Sequence, residues 1–140
     1  MKKTIWAAWL VLMATFFAGC VVHIPVVPVG KQTRHGVYLG QRSFVRSNDK
    51  DHFFVGERHG KFSQIRLRVV KAPVQVKRVA VHFGNGKVRQ LQVKPNFKAN
   101  EWSRWIALPG GQRRIKKIVI VGATPKGTRR LGRIMVYARR

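Results

Sequence analysis

The side chains that carry most covalent and proton-transfer chemistry are scarce in this chain. Of its 140 residues, four are acids (Asp49, Asp51, Glu57 and Glu101), five are histidines, and Cys20 is the single thiol. General acid–base catalysis needs carboxylates or imidazoles held together with tuned pKa values. Such groups gather along the chain only at residues 47–60, with Asp49, Asp51, His52 and His59. A metal site there would need three or four converging ligands, and the spacing follows no HExxH or comparable pattern. The segment is polar and bounded by glycine, so it reads as a long loop, because Asp and Asn favour turns. No catalytic residue, metal ligand or cofactor site is expected, and the chain is read as a non-enzyme. His82 is opposite in phase to Val81 and Phe83, and is expected to point outward.

An unpaired cysteine in an exported chain needs a use, since it can form no internal disulfide. The residues before it have the three parts of an export signal: Lys2 and Lys3, an apolar run at 5–17, and the small Ala18 and Gly19. The run is short for a bilayer span, which takes about 20 apolar residues. Val21 and Val22 extend it, which leaves an uncleaved anchor open. Phe17, Ala18, Gly19 and Cys20 resemble the lipobox of bacterial lipoproteins, with Phe17 where leucine is usual. The resemblance implies cleavage before Cys20 and a diacylglycerol on its sulfur. Because Val21 and not Asp follows, it also implies transfer to the outer membrane, facing the periplasm or the outside. The alternative is an ordinary secretory signal that contains a cysteine. Residues 1–19 are thus the expected signal peptide, and 20–34 a lipidated cysteine and extended tether stiffened by Pro25 and Pro28. Residues 35–140 are the expected folded domain.

From about residue 35 onward the apolar residues recur at every second position, which sets alternate side chains on opposite faces of a strand. In residues 62–70, Ile65, Leu67 and Val69 share one face, and Gln64, Arg66 and Arg68 the other. Val79, Val81 and Phe83 continue the pattern until Gly84, Asn85 and Gly86 interrupt it before residues 88–93. Asn-Gly between strand-like runs predicts a hairpin, because both residues tolerate positive φ. A glycine loop that holds phosphate would require a strand-to-helix setting instead. Trp105, Ile106 and Leu108 lead into a second turn at 109–111, followed by runs at 115–121 and 131–138. No amphipathic helix is visible. About seven strands at short spacing predict an all-β domain, a single small antiparallel β-sandwich, with a small barrel as the related solution. The runs FSQIRLRV, VHFGNG and SRWIALPGGQRRIKKIVI resemble a family of small exported bacterial β-sandwich domains of unknown function, over roughly residues 35–138. That resemblance implies the same fold and location and transfers no active residue. Surfaces in that family are more neutral, so the charge of this chain is a departure.

The charge itself is extreme: 29 Lys and Arg give a net +25, and removal of Lys2 and Lys3 with the signal leaves all but two of those charges. Such a field draws anionic polymers or surfaces toward the protein and weakens as salt rises. The candidate anion-binding residues are Arg66, Arg68, Lys77, Arg78, Arg113, Arg114, Lys116 and Lys117. The candidate partners are the membrane through lipid on Cys20, and lipopolysaccharide, anionic phospholipid or extracellular nucleic acid. Trp102 and Trp105, near Arg104, could stack single-stranded bases. Strand tryptophans more often pack in the core, and that assignment is preferred. Two roles stay open: a non-enzymatic, membrane-anchored binder of envelope anions, and a structural or protein-interaction envelope domain whose charge is incidental.

Overall fold

The computed structural model describes residues 28–47, 49–55 and 59–140, so the expected signal, Cys20 and most of the tether lie outside the described residues. The period-two alternation gives seven strands of four residues or more: β2 (Gly36–Phe44), β3 (Asp49–Phe54), β5 (Gln64–Val70), β6 (Val74–Phe83), β7 (Val88–Leu91), β10 (Arg113–Ala123) and β11 (Gly132–Arg139). Four two-residue strands complete the set: β1 (Gln32–Thr33), β4 (Lys61–Phe62), β8 (Asn96–Phe97) and β9 (Ile106–Ala107). Pairing is antiparallel throughout. One sheet runs β1-β2-β11-β5-β9, and the other β3-β10-β6-β7 with β4 added on β10 and β8 on β6. The sheets do not close into a barrel, which settles the choice left by strand spacing in favour of the sandwich.

Inward-facing residues of both sheets make the core. Ile65, Leu67 and Val69 of β5 and Ile134, Val136 and Ala138 of β11 come from one sheet, and Val79, Val81 and Phe83 of β6 and Ile115, Ile118 and Ile120 of β10 from the other. Phe44, Phe53 and Phe62 are sealed among them. Burial of such side chains is worth about 1.5–3 kcal/mol each. The whole cluster falls within Val37 to Ala138 and the two sheets within Gln32 to Arg139, so this region carries a hydrophobic core of its own.

A buried hydroxyl joins three strand ends. Thr124, fully buried, donates through Oγ1 to the Phe44 carbonyl at the end of β2 and accepts the Gly132 N–H at the start of β11 at 2.9 Å. Its own N–H donates to the Val45 carbonyl at 2.9 Å.

Between β6 and β7 the anticipated hairpin forms, but only Gly86 takes a positive φ, at 83°. The Asn85 side chain instead accepts the Lys87 N–H at 3.1 Å, an Asx turn that does the work of a left-handed asparagine.

Residues 47–60 correct the sequence reading. They were expected to be loop, yet Asp49–Phe54 is an edge strand, antiparallel to β10 from Lys117 opposite Phe54 to Gly122 opposite Asp49. The alternation is half hidden, because Lys50, His52 and Phe54 take the solvent side while only Phe53 and the following Val55 are buried beneath.

Candidate functional site

The outer face of the five-stranded sheet carries an alternating ladder of cations and indoles. Arg139 lies 4.5 Å from the Trp105 ring centroid, Arg66 4.5 Å from Trp105 and 4.1 Å from Trp102, and Arg68 5.0 Å from Trp102. Guanidinium groups stacked on indole are attracted to the negative ring face, and here each ring separates two like charges. Tyr137 stands 5.2 Å from Trp102, Tyr38 5.5 Å from Tyr137, and His35 4.8 Å from Trp102. Burial lowers the Arg66 pKa, with Arg139 acting the same way and Tyr137 opposing. The Nε atoms of Arg66 and Arg68 are buried without a hydrogen-bond partner, while their guanidinium groups lie over the indole rings.

Both tryptophans were expected in the core, and they are half-buried on the outside instead. The cause is a register shift. Arg68 is opposite Trp102 while Ile65 is opposite Ile106, so the edge segment carries one residue more than β5. In a regular strand, residues three apart face opposite sides; the extra residue brings Trp102 and Trp105 to one side. Each indole already holds two guanidinium groups, so the rings are occupied as stacking surfaces.

The outer face of the second sheet is different. Lys50, His52, Arg78, His82 and Lys117 surround a groove of ≈ 390 Å³, with Ala80, Val119, Val88 and Gln90 completing its lining. Register explains the assembly. Phe54 (β3), Lys117 (β10), His82 (β6) and Val88 (β7) form one cross-strand row, and His52, Val119, Ala80 and Gln90 the next. Lys50, Val121 and Arg78 form a third. The small Ala80 and the side chain of Val119, 4% exposed, make a low floor between basic walls. His82 has its pKa lowered by burial first, and then by Lys117, His52, Lys116 and Lys50. The groove can therefore hold an anion among the three cations Lys50, Arg78 and Lys117, with the imidazoles of His52 and His82 beside them.

The eight basic residues singled out in the sequence do not converge. Arg66 and Arg68 belong to the ladder, and Arg78 and Lys117 to the groove on the opposite sheet. Lys77 and Lys116 are exposed at the two points where the β6–β10 ladder shifts register. Arg113 and Arg114 face β4 at the far end of β10, with the Arg113 guanidinium 5.2 Å from the Phe83 ring. Lys50 and His52 were missed as charge-site residues because their segment was assigned to a loop. The alternation Lys50, His52, Phe54 against Phe53 and Val55 was the signal for them. Asp51 and His52 are consecutive in β3 and so take opposite faces. Among the described residues no three His, Cys, Asp or Glu side chains gather at a metal-binding distance, and no helix is long and apolar enough to cross a membrane.

Residues 10–138 match a protein family described as a domain of unknown function, DUF2541. No curated protein and no solved structure matches the chain.

Proposed function

The chain belongs to the DUF2541 family, and because that family carries no assigned activity we propose a role from the surface itself. The protein is a non-enzymatic lipoprotein of the bacterial envelope, held to the outer membrane through Cys20, that binds anionic envelope components in the basic groove. The observation that carries this reading is the convergence of Lys50, Arg78, Lys117, His52 and His82 on one concave face in a chain of net charge +25. A stable anchor takes two lipid signals or more, and an acylated Cys20 would supply them, leaving the groove free for its own ligand.

The test uses the chain from residue 21 onward, without the lipid, and vesicles of phosphatidylcholine with or without phosphatidylglycerol. Each cation near an anionic surface contributes about 1 kcal/mol. The K50Q/R78Q/K117Q variant is therefore expected to bind anionic vesicles about a hundredfold more weakly. Wild-type binding should fall steeply between about 0.1 and 1 M salt, as the Debye length shrinks from about 10 to 3 Å. Retention unchanged by both would refute the reading.

Acid should strengthen binding. His82 is held toward its neutral form, so in the free protein protonation is disfavoured by folding, and stability falls as pH drops through the ordinary histidine range. An anion in the groove reverses that preference, and binding takes up a proton. Affinity is thus expected to rise from about pH 7.5 to 5.5, with a shallower slope in His82→Asn, measured by vesicle co-sedimentation.

A second reading, a structural or protein-interaction domain whose charge is incidental, draws support from the scatter of Lys77, Arg113, Arg114 and Lys116 outside the groove. Co-purification of one stoichiometric partner that survives high salt would favour it.

A further inference from the structure

The groove has an apolar border that a purely ionic site does not need. Phe54 is 69% exposed, the most exposed large hydrophobic residue described, and Val88 is 47% exposed. Isolated apolar residues on a surface are ordinary. These two are not isolated from the charges, because they stand at the two ends of a single cross-strand row whose middle members are Lys117 and His82. The rings of Phe54 and His52 lie near parallel, with centroids 6.2 Å apart and planes 16° from parallel, and Phe54 stands beside the groove, outside its lining.

Building on the anion-binding reading, we infer that the ligand is an amphiphile, a phosphate-bearing lipid. Its headgroup occupies the groove among Lys50, His52, Arg78, His82 and Lys117, and Phe54 and Val88 enter the apolar layer beside it. A basic face rimmed by an aromatic and an aliphatic residue is the arrangement that interfacial membrane-binding surfaces use, with charge attracting the surface and apolar side chains gaining burial on arrival. A single-stranded nucleic acid would offer phosphates too, and Phe54 could then stack a base. Against it, the bordering residue on the other edge is Val88, which has no π face to stack.

The deciding variant is F54S in the chain from residue 21 onward, compared with K50Q/R78Q/K117Q. Phe54 is exposed and stands outside the lining of the groove, so the substitution leaves the core and the anion site intact, and unchanged thermal unfolding will verify the first. F54S is expected to weaken binding to phosphatidylglycerol vesicles about tenfold or more, while its retention on a soluble anion, glycerol phosphate coupled to a resin, stays at the wild-type level. Equal vesicle binding by F54S and wild type would overturn the amphiphile inference and leave anion binding standing. Loss of oligothymidylate binding in F54S with vesicle binding intact would overturn it in favour of a nucleic acid. Wild-type behaviour of K50Q/R78Q/K117Q in every arm would remove the anion site, and with it the lipid.

Discussion

Thr124→Val is expected to lower the stability of the domain by about 2–5 kcal/mol, because it strands two buried backbone groups at a cost of about 1–3 kcal/mol each. Valine nearly copies the shape of threonine, so packing changes little. What is lost is the hydroxyl that donates to the Phe44 carbonyl and accepts from the Gly132 N–H. The end of β2 and the start of β11 would each keep a polar group facing a dry interior. Domains of this size are stable by only about 5–15 kcal/mol in all, so the substitution removes a large share. Thr124→Ser keeps both bonds and deletes one methyl group, and should lose only about 1 kcal/mol. Urea unfolding of the three proteins at unchanged m-value measures the difference. A valine variant as stable as the serine variant would show that the hydroxyl does not carry this junction.

Trp102→Ala is the second large effect, expected at about 2–4 kcal/mol. Removing a fully buried tryptophan costs about 3–5 kcal/mol, and Trp102 is half-buried, which lowers the figure. Its two guanidinium contacts then add to the loss, at about 0.5–2 kcal/mol each. The ring also covers Tyr137 and His35, and without it Arg66 and Arg68 face one another with their buried Nε atoms unpaired. Trp102→Phe keeps an aromatic face and should lose less than half as much in thermal unfolding. The ladder and the groove lie on opposite sheets, so at temperatures where Trp102→Ala remains folded its vesicle binding should equal that of the wild type. Loss of binding in the folded variant would mean that the two faces act together.

The architecture was largely legible from the sequence because period-two burial is a local property. Ile65, Leu67 and Val69, or Val79, Val81 and Phe83, announce their faces without knowledge of any partner, and all six are in the core. Edge strands announce less. In β3 one face meets water and the other contributes only Phe53 and Val55 to the interior, so four polar residues out of six outweighed the alternation. The sites were harder still, because they depend on register. Arg78 and Lys117 were recognised as basic, but their true companions, Lys50 and His52, come from a strand more than sixty residues before Lys117. Trp102 and Trp105 share a face only through one extra residue on the edge segment, and no spacing rule applied to the segment alone would place both outside.

The ladder also turns the protein into its own optical gauge. The chain has four tryptophans and two tyrosines. Trp6 and Trp9 precede Cys20, so a chain that starts after it keeps Trp102, Trp105, Tyr38 and Tyr137 alone, and all four belong to the one cluster on the five-stranded sheet. Its ultraviolet absorption, its emission and its near-ultraviolet circular dichroism then come almost entirely from that face. Ligands settling in the groove on the far side should leave the emission unchanged, and any shift in its colour or polarisation on binding would be a direct signal that strain has crossed the core.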